Sequence, residues 1–198
     1  YDTAVISGAI GFMQIRFGLD PAEVGWAASC ALAGCVAGVA ITGVLGDRVG
    51  RRKALVGSAV LFAASAAGTA VPRNLTEFIF WRIVGGVGVG IASMMSPLYI
   101  AEISPALVRG RLVTVNQFAI VIGMVGVYFV NYVIAGWGTE EWNVRSGWRW
   151  MFGSELAPAL VFLVLLPAVP ESPRWLARRE RWDEALGVLR RIHGETEA

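Results

Sequence analysis

Gly43-Val44-Leu45-Gly46-Asp47-Arg48-Val49-Gly50-Arg51-Arg52-Lys53 is a glycine-spaced turn that carries four cations and one carboxylate, and it sits between two apolar stretches, 24–45 and 54–71. Each stretch comes close to the roughly 20 residues that a helix needs to cross the hydrocarbon core of a bilayer. A short loop this basic between two crossings is expected on the cytoplasmic side.

Composition agrees with it. The chain has 198 residues, of which 56% are hydrophobic and only 16% charged, and its mean hydropathy is +0.59. The charges gather between apolar windows, as they must in a chain dissolved in lipid. The formal net charge of +2 is too small to point to a nucleic-acid partner, and membrane topology explains where the basic residues fall. Cys30 and Cys35 lie five positions apart in one apolar stretch, which turns them about 140° from each other on a helix. They read as buried fillers. With His193 the single histidine, the residue set offers neither a disulfide framework nor a metal cluster.

Tyr1 to about Phe12 reads as the outer part of a helix whose beginning is missing. A polar link holding Arg16, Asp20, Pro21 and Glu23 follows, then spans near 24–45, 54–71, 78–100, 113–135 and 147–169. That makes six crossings. Arg48, Arg51, Arg52 and Lys53 follow the second, Arg109 and Arg111 the fourth, and Arg174, Arg178, Arg179, Arg181, Arg190 and Arg191 the sixth, whereas the opposite links hold Arg16, Arg73, Arg145 and Arg149. This bias places both termini in the cytoplasm. Trp137, Trp142, Trp148 and Trp150 surround the fifth link and read as an interfacial belt. Beyond Pro170, a charged amphipathic helix is expected over about 174–193, with Trp175, Leu176, Trp182, Leu186 and Leu189 apolar and its place on the cytoplasmic face. The organisation is thus 1–170 for a membrane bundle and 171–198 for the start of a cytoplasmic linker.

Gly34-xxx-Gly38 and Gly86-xxx-Gly90 clear a stripe along two spans and let helix backbones approach. The run Gly85-Gly86-Val87-Gly88-Val89-Gly90 follows no strand and lacks the register of a phosphate-cradling loop. Ionisable residues at membrane depth are costly and are functional candidates by default. Three stand out: Asp2 in the first span, Arg82 near the outer end of the fourth, and Glu155 in the sixth. Asp2 and Arg82 can form an ion pair, either static or changing with conformation. A buried carboxylate binds a proton more readily when alone and less readily beside a guanidinium, so a pair that opens and closes links proton uptake to conformation. Asn116 and Gln117 lie in the fifth span, where positions 117, 121, 124 and 128 share a face. The Gln117 amide offers donors and an acceptor to a sugar's hydroxyls, or equally glues two helices together.

These motifs fit together as a family. Tyr1-Asp2-Thr3-Ala4-Val5-Ile6-Ser7-Gly8, the Gly43 to Arg52 run, Arg82-Ile83-Val84-Gly85-Gly86, Tyr99-Ile100-Ala101-Glu102-Ile103-Ser104-Pro105, Asn116-Gln117-Phe118 and Pro170-Glu171-Ser172-Pro173-Arg174-Trp175-Leu176 resemble the sugar porter branch of the major facilitator superfamily. Within it, the chain is similar to bacterial xylose-type sugar/proton symporters. The resemblance implies an all-α integral membrane fold, the N-terminal six-helix bundle of a two-bundle transporter, followed by a cytoplasmic amphipathic helix. It implies proton coupling at Asp2, Arg82 and Glu155, and sugar binding at Gln117. It also implies a cytoplasmic gating network of Asp47, Arg48, Arg51, Arg52, Glu102, Arg109, Glu171 and Arg174. Met124 departs from the pattern, standing where xylose-type symporters carry a second glutamine.

The expected function is alternating-access transport of a monosaccharide with a proton, in the plasma membrane. The expected partners are the sugar, the proton, the lipid bilayer and the absent C-terminal half. A passive uniporter and a sugar sensor that does not transport are the alternatives, and the half on its own is expected to transport nothing. No cofactor, metal or nucleic acid is called for. No nucleophile with a nearby base can be drawn, so an enzyme is not expected.

Overall fold

The structure is a computed structural model and describes residues 1–193. The chain is an all-α integral membrane protein. Helix α1 (Asp2–Phe17) is followed by α2 (Pro21–Val49), α3 (Arg51–Ala70), α4 (Leu75–Ile103) and α5 (Arg109–Ala135). A sixth helical run, α6 (Glu140–Ala168), completes the bundle, and two short helices follow, α7 (Pro173–Arg178) and α8 (Trp182–His193). Helices α2 to α6 are long and apolar enough to cross a membrane. Helix α1 has 16 residues and so spans about 24 Å.

The helices run past the apolar windows because local chemistry sets their ends. Helix α1 continues through the stretch expected as a polar link and stops where Gly18 takes a left-handed conformation, φ 63°. Asp20 then opens α2 with a reciprocal capping box to Glu23 and Pro21 at the first turn, satisfying N–H groups that a helix start leaves bare. Asn74 caps α4 by accepting from the Glu77 N–H at 2.8 Å.

Between α2 and α3 the link is Gly50 alone, at φ 100°. L side chains avoid this conformation, and a Cβ here would also collide with the Glu171 carboxylate. One glycine thereby reverses the chain and brings the basic run against α7.

The two glycine stripes face each other. Gly34 and Gly38 on α2 lie on the backbone of Ile83, Val87 and Gly90, while Gly86 and Gly90 on α4 lie on Ala31, Cys35 and Val39. Without side chains to hold them apart, the two backbones pack directly. Gly86→Leu is expected to force α2 off α4, where the Cβ alone would already meet the Ala31 carbonyl. Overpacking of this kind costs about 1–3 kcal/mol or more, and a fall in the melting temperature of the purified protein checks it.

Two expectations are corrected. Trp148 is not part of an interfacial belt: it is fully buried, its ring meets Phe17 edge-on at 5.7 Å, and it packs with Phe152. Trp137 and Trp150 do stay exposed, at 63% and 59%. The terminal helix is broken in two at Glu180, which has φ 60°. Its inward side is Ala185 and Val188, packed on Trp175 and Leu176, whereas Trp182 and Leu186 are exposed. The last residues of the expected linker, 194–198, lie outside the described residues. A π-helical turn at Asn143–Gly147, absent from the expected sixth span, opens α6.

Candidate functional site

Deep in the bundle, α4 presents Arg82, only 1% exposed. Its Nη1 donates to the Asp2 carboxylate and, at 3.1 Å, to the Asp2 backbone carbonyl. The guanidinium also lies over the Phe152 ring, 5.7 Å from its centroid. Gly85, one turn of backbone further along α4, leaves the room that the Asp2 carboxylate occupies next to Ser65. The start of α1 is fastened to α6 by the Tyr1 hydroxyl, which bonds the Ser154 hydroxyl at 2.8 Å.

Glu155 completes the group. It sits where α6 is interrupted between Gly153 and Leu156. Pro158 lacks the N–H that would bond the Ser154 carbonyl, which accounts for a break at this point. Glu155 is buried and directly follows Ser154, whose hydroxyl bonds that of Tyr1, the residue before Asp2. Among the described residues, Asp2 Oδ2, Glu155 Oε1, Arg82 Nε and Arg82 Nη2 are buried without a hydrogen-bond partner. Buried polar atoms are ordinarily satisfied. An acid paired with a guanidinium and a second buried acid, with one bare oxygen on each acid, form an arrangement that can hold a proton.

Helix α5 carries Gln117 on an open face. Gln117 is exposed, as are Val121, Met124 and Tyr128 along the same stripe, and nothing among the described residues bonds its amide. The helix-gluing alternative therefore finds no partner within this bundle.

At the end of the bundle bearing the basic run, the ends of α2, α4 and α6 meet the start of α3. Arg51, 4% exposed, grips Glu102 with two parallel bonds, Nε at 3.0 Å and Nη2 at 3.1 Å. Its Nη1 donates to Asp47 and to the Gly46 carbonyl, both at 2.9 Å. The Ser172 hydroxyl donates to Glu102 at 2.6 Å. One oxygen of Glu171 accepts the N–H groups of Arg51, Arg52 and Ser172 at 2.9 to 3.0 Å, a carboxylate held on the start of a helix where anions are favoured. The Trp175 indole donates to the Asp47 carbonyl at 3.1 Å, and the Tyr99 hydroxyl to the Pro170 carbonyl at 2.7 Å.

Of the residues expected in this network, the structure brings together Asp47, Arg51, Glu102 and Glu171, with Arg52 joined through its N–H and through a bond to the Val169 carbonyl. The side chains of Arg48 and Arg174 make no bond among the described residues, and Arg109 reaches only its neighbour's carbonyl, Ser104 O, at 3.5 Å. Tyr99, Ser172 and Trp175 were missed as contributors. Tyr99 opens the motif that contains Glu102, and Ser172 and Trp175 flank Glu171, so each was visible as a polar group one or two turns from a charge already singled out. Arg178 and Arg179, from the basic run on α7, also reach Asp47: the Asp47 carboxylate lies 3.6 Å from Arg178, and its carbonyl accepts from Arg179.

Comparison with known proteins matches this geometry. The model of the family "Sugar (and other) transporter" covers residues 1–198. The chain belongs to that family. It is 46% identical to the arabinose-proton symporter of Bacillus subtilis over 198 residues, all of this chain and 43% of that protein. It is 45% identical to the D-xylose-proton symporter of Escherichia coli, covering 99% of this chain and 45% of that protein. The solved structure of the major facilitator superfamily proton:xylose symporter XylE bound to 6-bromo-6-deoxy-D-glucose superposes with a TM-score of 0.96 at 45% identity, over 99% of this chain and 47% of that one. The inward-open conformation of the E. coli xylose transporter gives 0.90 over 99% of this chain and 50% of that one. The chain thus spans about half the length of the relatives it matches. These relatives are named as transporters.

Proposed function

We propose that this chain is the N-terminal half of a monosaccharide/proton symporter that works by alternating access, seated in the plasma membrane with the basic turn and α7 in the cytoplasm. The single observation that carries this reading is the group of Asp2, Arg82 and Glu155 at membrane depth: an acid paired with a buried guanidinium and a second buried acid, with one bare oxygen on each acid. When the proton is bound, the group is neutral and its oxygens are satisfied. When the proton leaves, the group carries a net negative charge, and a conformation in which Arg82 holds Asp2, as it does here, gains over one in which the two part. Two close relatives named as proton symporters support this choice over a passive carrier.

The Arg51–Glu102–Asp47 network acts as the latch. Its members come from α2, α3 and α4 and, through Ser172 and Glu171, from the segment after α6. Bonds that hold these ends together favour one conformation and must break in the other.

Gln117 reads as the sugar-binding amide on the face that a second bundle would cover. Gln117→Leu is expected to raise the sugar's KM by about ten- to a hundredfold, the loss of one or two hydrogen bonds at about 1–3 kcal/mol. The melting temperature should not change, since the amide has no partner within the chain. An unchanged KM would return Gln117 to helix packing.

Transport itself is tested by exchange of labelled pentoses and hexoses across proteoliposomes that contain the protein with both halves. Exchange of at least one sugar supports a carrier. Binding without exchange would identify a sensor, and exchange by residues 1–198 alone would overturn the need for a second bundle.

A further inference from the structure

Behind the latch, between the first turn of α3 and helices α7 and α8, lies a cleft of about 410 Å³. Arg52, Lys53, Trp175, Arg181, Glu184 and Arg191 are among its walls, together with Glu171. The two acids are already committed. Glu171 holds three backbone N–H groups, and Glu184 is clamped by both prongs of Arg181 at 2.6 Å. Among the described residues, Lys53 and Arg191 have no carboxylate partner and Arg52 has only the Val169 carbonyl. Three cations from two separate elements therefore line one concave space with an indole wall; with Arg181 balanced by Glu184, they outnumber the single remaining acid, Glu171.

We propose that this cleft binds the phosphate group of a small anion or of a lipid headgroup. A phosphate monoester presents close to two negative charges and three acceptor oxygens. An arginine fork matches these oxygens in geometry, and a lysine adds a point charge. The cleft has the volume of a small-molecule site, so there is room for the organic part of such an ester against Trp175.

Its position gives the ligand a consequence, which rests on the transport reading above. Arg52, Glu171 and Trp175 face the cleft on one side and hold the latch on the other. A phosphate that bridges Arg52 and Lys53 on α3 to Arg191 on α8 binds only while these elements are together. It stabilises the latched conformation by an amount that grows with the logarithm of its concentration above the Kd and slows the cycle.

The test uses the two-half protein purified in neutral detergent, with inorganic phosphate and a hexose phosphate as probes and chloride at equal ionic strength as the control. A rise in melting temperature that grows with the concentration of phosphate or its ester is expected, and it should be lost in Lys53→Gln/Arg191→Gln. Both side chains are exposed, so an unchanged melting temperature for the unliganded variant confirms that it folds. A second arm compares nanodiscs of phosphatidylcholine with and without phosphatidylglycerol. A variant-dependent rise confined to phosphatidylglycerol supports the site with a lipid headgroup as its phosphate source. No rise in either arm, or equal rises in wild type and variant, overturns the site. In proteoliposomes, ligand on the cytoplasmic face is expected to slow sugar exchange about five- to tenfold in wild type and not in the variant. A melting shift with undiminished exchange overturns the regulatory role, whereas absence of exchange in unliganded wild type counts against the transport reading instead.

Discussion

Asp2→Asn is expected to abolish uphill sugar accumulation while sugar exchange at equal concentrations on both sides persists. Asparagine keeps the size and the acceptor oxygen that Arg82 uses, but it cannot take up or release a proton. Glu155 is then left as the single acid beside Arg82, a charge-balanced pair that has no reason to gain or lose a proton as the bundle moves. In wild type, one proton per sugar lets a gradient of one pH unit, about 1.4 kcal/mol, support about a tenfold sugar ratio. A potential of 100 mV adds about 2.3 kcal/mol for the charge carried. The check is labelled-sugar uptake in vesicles under an imposed pH gradient and potential. Accumulation by Asp2→Asn at the wild-type ratio would make the Asp2–Arg82 pair structural and the protein a passive carrier.

Arg51→Met is expected to unbalance the latch more than any other change in the network. Arg51 and Glu102 are nearly inaccessible, with side chains 5% and 4% exposed. Removing the guanidinium therefore leaves a buried carboxylate with only the Ser172 hydroxyl. Losing one partner of a buried pair costs about 3–5 kcal/mol, enough to move a conformational equilibrium by about a hundredfold or more. Removing both charges leaves no orphan, so Arg51→Met/Glu102→Leu is expected to recover most of the loss. The reading is the labelling rate of a cysteine introduced at the opposite end of the cavity: slow in Arg51→Met, near wild type in the double variant. Strictly additive effects would show that Arg51 and Glu102 do not act as a pair.

Much of this arrangement is legible in the residues, and the reasons differ from place to place. Asp2, Arg82 and Glu155 stand out because a charge in an apolar window has no cheap explanation. That Asp2 and Glu155 come into one neighbourhood does not follow from any window, since it depends on α1 packing against α6 across more than a hundred residues of sequence. The same holds for the latch: Asp47 and Arg51 are neighbours on one turn, but Glu102 is a tertiary partner. The glycine stripes of α2 and α4 were readable because small residues at i, i+4 have a direct packing meaning. Trp148 was misread because enrichment of tryptophan near interfaces does not say which way a ring turns, and this one turns inward onto Phe17 and Phe152. The break at Glu180 carries no glycine or proline to announce it. The end of α1 did carry a signal, Gly18 followed by Asp20-Pro21, which the polar Gln14 and Arg16 obscured.

The central claim is that the Asp2–Arg82–Glu155 group exchanges a proton each time the bundle carries a sugar across. It is tested most directly by recording pH outside unbuffered proteoliposomes of the two-half protein while pentoses and hexoses are added one at a time. Alkalinisation of the bath with a transported sugar, absent in Asp2→Asn, is the result this account predicts. Sugar entry at wild-type rate with no movement of protons would contradict it.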